Sequence, residues 1–277
     1  MKCIIRTWER FCRASAQEGK RSIPASAVSE NASSLPYLVL KHDVETKVEK
    51  AFRMAKIEQR YGHCGSYYVQ AYLLDKPKNV ALLQRMQAMG HEISYHYDVL
   101  DAAMGDYTAA AAEFERNLQR FRACGFPVTT VCQHGNPVVV RNGYTSNRDF
   151  FRNEETQLRY PVLADIMVDF PRKAHTSYLY FSDAGRALRL IADPLTNDRS
   201  PDKGEDKTLK DFDALKPYLA QTNCIVSMHP HRWSANAAAW LCRSAVFFTV
   251  RQTARLLMKL PPCKKLMSRY FYLAKKI

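Results

Sequence analysis

Short apolar runs that end in charged or imidazole-bearing residues, each followed by a helical pattern, recur along this chain and restrict its fold class. The first, Tyr37-Leu38-Val39-Leu40, leads into a charged turn, Lys41-His42-Asp43-Val44-Glu45, and then a helical spacing through Ala51, Met54, Ile57 and Tyr61. Ser66–Val69 predicts a second strand, and a helix opened by Pro77 places Val80, Leu83, Met86 and Met89 on one face before Gly90 stops it. A strand over His91–His96 follows at once. Farther on, Asp106 caps a helix over Tyr107–Cys124, and strands are predicted at Val128–Cys132, Tyr178–Phe181 and Cys224–Met228, with a helix around Leu209–Leu219 before the last. The Asn-, Arg- and Asp-rich span 141–173 reads as a long loop with a helical piece near Asp149–Arg159 and a strand near Val162–Val168. Strands alternating with helices predict a mostly parallel α/β sheet or barrel, whose strand ends and following loops meet at one rim.

That rim is where the chemistry-bearing residues fall. In Gly90-His91-Glu92-Ile93-Ser94-Tyr95-His96-Tyr97-Asp98, the period of two puts Glu92, Ser94, His96 and Asp98 on one face, so an imidazole and a carboxylate leave the sheet side by side. Nitrogen and carboxylate oxygen are donors suited to a divalent metal. Similar clusters end the other predicted strands: His42/Asp43/Glu45, His134, Asp183 and His229/His231, which with His96 take in five of the eight histidines. Convergence across separate strands is the signal for a site.

Composition narrows the alternatives. A chain of 277 residues with 47% apolar residues can bury a large core. The eight cysteines are scattered with no Cys-x-x-Cys unit, which predicts reduced thiols, and the first residues lack a signal-peptide apolar core, so a cytoplasmic location is expected. The formal charge of +14 is uneven: after Asp213 there is no acidic residue and eleven basic ones, which leaves 30 basic against 27 acidic residues before that point. The body is thus near neutral and the tail strongly basic.

The motifs, taken in order, resemble the polysaccharide deacetylase family of carbohydrate esterases, and in particular the branch whose first motif reads Arg-His-Asp-Val-Asp. The matching pieces are Leu40-Lys41-His42-Asp43-Val44-Glu45, Gly90-His91-Glu92-Ile93 with His96, and Met228-His229-Pro230-His231-Arg232-Trp233, with looser matches at His134-Gly135-Asn136 and Tyr180-Phe181-Ser182-Asp183. The resemblance implies a distorted (β/α) barrel with about seven parallel strands over residues 37–234, after an N-terminal extension (1–36) and before C-terminal basic amphipathic helices (235–277). It also implies metal-dependent removal of an N-acetyl group from a sugar of a cell-surface polysaccharide or its lipid-linked precursor.

By matching motifs, Asp43 and His229 are the expected base and acid, and Glu45, His96 and Asp98 the expected ligands of a divalent metal, zinc being favoured. Asp43 and Glu45 are interchangeable in these roles. The family's second ligand histidine, four residues after His96, is replaced by Leu100, so Asp98 or His134 stands in for it, or the metal is weakly held. His134, Asp183 and Trp233 are expected at the substrate; Asp183 and Asp165 are also candidates to orient a histidine, and His231 is placed on the rim. The Arg-x-Pro segment of the family is here Gln133-His134-Gly135-Asn136. Two alternatives keep the fold: a saccharide-binding member without catalysis, and a metal-independent amide hydrolase.

From Ala235 to Leu260 one helix is predicted, with Arg251, Arg255 and Lys259 on one face, and Pro261-Pro262 stops it. Arg243 and Arg251 interrupt the only apolar run long enough to suggest a spanning helix. An anionic membrane surface is the partner expected for this tail; nucleic acid is not, since no helix-turn-helix, RNP-like or zinc-finger pattern is present.

Overall fold

The sheet that carries the rim is built from β1 (Leu38–Val44), β2 (Gly65–Val69), β3 (Glu92–Tyr97), β4 (Thr130–Gln133), β5 (Ala164–Asp165), β6 (Leu179–Ser182), β7 (Leu188–Ile191), β8 (Lys207–Leu209) and β9 (Cys224–Met228) in the computed structural model. It describes residues 3–28, 36–136, 139–170, 177–184, 187–199 and 204–257. The strand order is β5-β4-β3-β2-β1-β9-β6-β7-β8. The seven strands from β5 to β6 pair in parallel, and β7 and β8 add an antiparallel edge. The parallel α/β architecture expected from the alternation is present, and among the described residues no pairing joins β5 to β8 to close it.

Three sequence expectations change here. The charged stretch after Leu40, read as a turn, is strand through Val44 and buried throughout. β1 is central, with Lys41 opposite Ser66 on β2 and Ser227 on β9, so ladders on both sides carry the strand onward. The expected strand at Val162–Val168 shrinks to Ala164–Asp165, and the helical piece before it splits at Asn153, whose side chain caps the second helix at Thr156 N. The antiparallel pair β7 and β8 was not expected. Leu188–Ile191 is short and interrupted by Arg189, and Leu209, expected to open a helix, ends β8.

The α-helices are α1 (Ile5–Gln17), which precedes the sheet, and α2 (Val48–Arg60), α3 (Pro77–Ala88), α4 (Val99–Ala102), α5 (Tyr107–Ala123), α6 (Asp149–Arg152), α7 (Glu154–Arg159), α8 (Lys216–Gln221) and α9 (Ala237–Leu257) among the strands and after them. Pro77 opens α3, and Gly90 follows that helix at a positive φ of 91° that an L side chain resists. Asp106 accepts from Ala109 N at 3.0 Å and caps α5.

β3 divides its residues as the period of two requires. Ile93, Tyr95 and Tyr97 pack with Phe114, Phe121 and Phe150 in one core cluster, while Ser94 and His96 turn to the opposite face. The N-terminal stretch is part of the core: Trp8, Phe11 and Cys12 of α1 pack with Leu38, Leu40, Met54 and Ile57, and Ile4 bridges to Ser234. The expected basic helix is α9, and the expectations for Lys259, Leu260 and the segment 261–277 lie outside the described residues.

Candidate active site

β1 supplies the floor of the site through alternation. Lys41 and Asp43, with Glu45 just beyond the strand, face a cavity of about 740 Å³ also lined by His96, His134 and His229. Leu40, His42 and Val44 face the other way. His96 comes from β3, His134 follows β4, Asp183 follows β6, and His229 follows β9, so four strand ends converge as the sequence pattern predicts.

His96 donates from Nδ1 to the Cys132 carbonyl at 3.0 Å, which leaves Nε2 facing the cavity, 3.1 Å from His134 Nδ1. His134 Nδ1 lies 3.7 Å from Glu45 Oε1. Donor atoms of Glu45, His96 and His134 all fall within 4.8 Å of one another, a nitrogen-oxygen set that fits a divalent cation. A second group of the same span, Asp43, His96 and Cys132, shares the same imidazole.

Of the two residues considered for the missing second histidine, His134 is the one brought to His96. Asp98 follows the last residue of β3 and belongs to neither group, because the strand ends at Tyr97 and its alternation stops there. Leu100 is buried in the core. His134 is set by its N–H bond to the Tyr97 carbonyl at 2.6 Å and by Asn147, which donates to its carbonyl at 3.0 Å. Asn147 is tied to buried Asp101, itself clasped by Arg141 at 2.8 and 2.9 Å. The polar loop after β4 therefore has a structural task beside the metal-type donors.

On the opposite wall, His229 Nε2 lies 3.7 Å from Asp43 Oδ2 and 3.9 Å from Glu45 Oε1. Its Nδ1–H points to Asp183 Oδ1 at 2.5 Å. Asp183 is fully buried, and its Oδ2 accepts from His229 N at 3.2 Å and from Trp233 Nε1 at 3.0 Å. Two expected substrate contacts are corrected by this arrangement. Asp183 spends its oxygens on orienting His229, and Trp233, 1% exposed and packed near Trp8 and Phe212, has no face to offer a sugar ring. Asp165 orients no histidine: it accepts from Tyr97 OH at 2.5 Å and Met167 N at 2.7 Å. His231 stands at the rim, with Nε2 4.0 Å from Glu45 Oε2.

His42 leaves the site altogether. Its Nε2 sits 2.9 Å from Glu58 Oε1 behind the sheet, with its ring stacked on Tyr67 at 4.2 Å. The residue that sequence reasoning passed over is Lys41, two positions before Asp43 and therefore on the same face. Its buried ammonium donates to Asp43 Oδ1 and, at 3.3 Å, to Ser227 Oγ. Period-two alternation from Asp43 was the signal that could have found it.

The electrostatics follow from these contacts. Burial alone would raise the Asp43 pKa, but Lys41, with His96 and His229, outweighs it and holds the carboxyl well below the usual range. Burial lowers the His96 pKa to about 4 against the pull of Asp43, so its ring is neutral at pH 7 and Nε2 has a lone pair to give. Asp183 is brought to about 2, His229 and Arg232 overcoming the upward push of burial. An ionised carboxylate, a neutral imidazole and a carboxylate-braced histidine thus line one cavity.

Comparison with protein-family profiles and with curated proteins gives no match. Among solved structures, the chain is similar to a Streptococcus mutans CE4 esterase, with 14% identity and a TM-score of 0.44 over 77% of this chain and 81% of the other. It is also similar to a mutant of a CE4 family pseudoenzyme with restored enzymatic activity, with 12% identity and a TM-score of 0.38 over 81% of this chain and 69% of the other.

Proposed function

We propose that this chain is a metal-dependent hydrolase that removes an N-acetyl group from a saccharide of a cell-surface polysaccharide or its lipid-linked precursor. The observation that carries the reading is the two-walled site: Glu45, His96 and His134 on one side, the Asp183–His229 pair on the other, and Asp43 between them. Glu45 groups with both imidazoles while Asp43 is engaged by Lys41, which favours Glu45 as ligand and Asp43 as base.

Glu45, His96 and His134 would hold the cation, with zinc favoured by the donor types. When bound, it supplies polarisation of the acetyl carbonyl and a lowered pKa for water. Asp43 accepts the proton of the attacking water at Oδ2, since Oδ1 is taken by Lys41. The ion pair keeps Asp43 ionised and fixed in place, at the cost of weaker basicity. His229 gives the proton on Nε2 to the departing amine nitrogen while Asp183 holds Nδ1–H. Hydrogen-bonding groups such as Asn136, Ser146, Asp193 and Asn197 line the rest of the cavity and suit a polyhydroxylated ligand.

The test is metal content by mass spectrometry together with release of free amine from N-acetylated oligosaccharides. About one divalent ion per chain, lost in His96→Ala and in Glu45→Ala, with amine release abolished in Asp43→Asn, is the expected result. Amine release that continues in metal-stripped protein would assign the site to a metal-independent amide hydrolase. Bound metal without hydrolysis of any N-acetyl sugar would assign it to saccharide binding.

A further inference from the structure

We infer that helix α9, with the basic residues that follow it in sequence, docks on an anionic lipid surface. This rests on the outside of the molecule and is independent of the reaction proposed above.

The inner edge of α9 is tied to the fold: Trp240 packs against the cluster that holds Trp8 and Trp233, and Ser244, one turn on, is buried. Beside that edge the helix presents apolar side chains to solvent. Leu241 is 63% exposed, Val246 63% and Phe248 53%. Leu241, Ala245 and Phe248 recur at the three- and four-residue spacing that puts them on one side of a helix. Large apolar groups in a contiguous stripe mark an interaction surface more than scattered ones do.

Charge selects the occupant. From Ala237 to Ile277 the sequence has nine Lys and Arg residues and no Asp or Glu. A second copy of the same helix would bring like charges together, and a nucleic acid would leave the apolar stripe without a partner. An anionic membrane interface takes both, apolar side chains entering the acyl boundary while cations meet the headgroups. No helix among the described residues is long and apolar enough to cross a membrane.

Flotation of the full chain with vesicles of phosphatidylcholine alone, or of phosphatidylcholine mixed with phosphatidylglycerol, tests the inference. Binding to the anionic vesicles only, weakened by added salt, is expected. The uncharged pair Leu241→Gln with Phe248→Gln and the triple change Lys264→Gln, Lys265→Gln and Arg269→Gln should each lower partitioning at least about tenfold. Circular dichroism and the melting temperature of the Leu241/Phe248 variant should match the parent, because both side chains are exposed. Equal binding to neutral vesicles, or binding unchanged in both variants, would overturn it. So would a dimer seen by light scattering and lost in the Leu241/Phe248 variant, which would give the face to a second copy.

Discussion

At the scale of single residues, the site depends on which carboxylate meets which base. Asp183 accepts from both the amide and the ring of His229, so it positions that ring rather than taking part in bond changes. Asp183→Asn keeps the shape but loses the anion facing Nδ1–H. The expected outcome is a fall in kcat of about a hundredfold with KM and bound metal little changed, read from steady-state amine release and metal analysis. Asp165 behaves in the opposite sense. Burial raises its pKa to about 7, only partly offset by Tyr97 and the Met167 amide. The unfolded chain ionises this carboxyl first, so stability from this group falls as pH rises from the ordinary aspartate range to about 7. In Asp165→Asn, the amide can still accept from Met167 N and meet the Tyr97 hydroxyl, and that fall is absent. Urea unfolding at pH 5 and pH 8 should show the variant gaining on the parent at the higher pH.

At the scale of elements, much of the plan was written in local pattern. Pro77 and Gly90 bracket α3, Asp106 caps α5, and period two on β3 separates Tyr95 and Tyr97 from His96, all as the residue types dictate. Asp98 lies outside both donor groups and Trp233 is buried, and local pattern hides both for two physical reasons: alternation holds only while a strand lasts, and a tryptophan beside a motif gives no hint of a buried acceptor such as Asp183. The face of His42 was legible in principle, since its neighbours in sequence, Lys41 and Asp43, both point into the cavity. What no local pattern shows is Glu58 on α2, which lies behind β1 with Trp8, His42 and Tyr67 on its oxygens. Burial pushes its pKa up, but His42 and the hydrogen bonds to the carboxylate win, bringing it to about 2. A depressed carboxyl contributes stability above the ordinary glutamate range, and this is lost as pH falls toward about 2. Glu58→Gln should therefore cost stability at pH 7 and progressively less as the pH is lowered through 4, measured as the urea midpoint across that range.

At the scale of the whole molecule, the sheet separates chemistry from support. One face of β1 carries Lys41 and Asp43 into the cavity; the other carries Leu38, Leu40 and His42 against α1 and α2. The first helix, expected as part of an extension, closes this second face. Trp8 is completely buried, packs edge-on to His42 and Trp233, and gives its indole N–H to Glu58 at 3.0 Å. Trp8→Ala would remove a large core side chain and an acceptor's partner together, and is expected to cost about 3–5 kcal/mol in urea unfolding. Because the loss lies behind the sheet, the fraction that remains folded should keep its full complement of metal, whereas His96→Ala should lose metal with less effect on stability. If Trp8→Ala cost under about 1 kcal/mol, α1 would not be part of the core. If it emptied the proposed metal site in folded protein, the two faces would be mechanically coupled through β1, and the separation of cavity and supporting faces would fail.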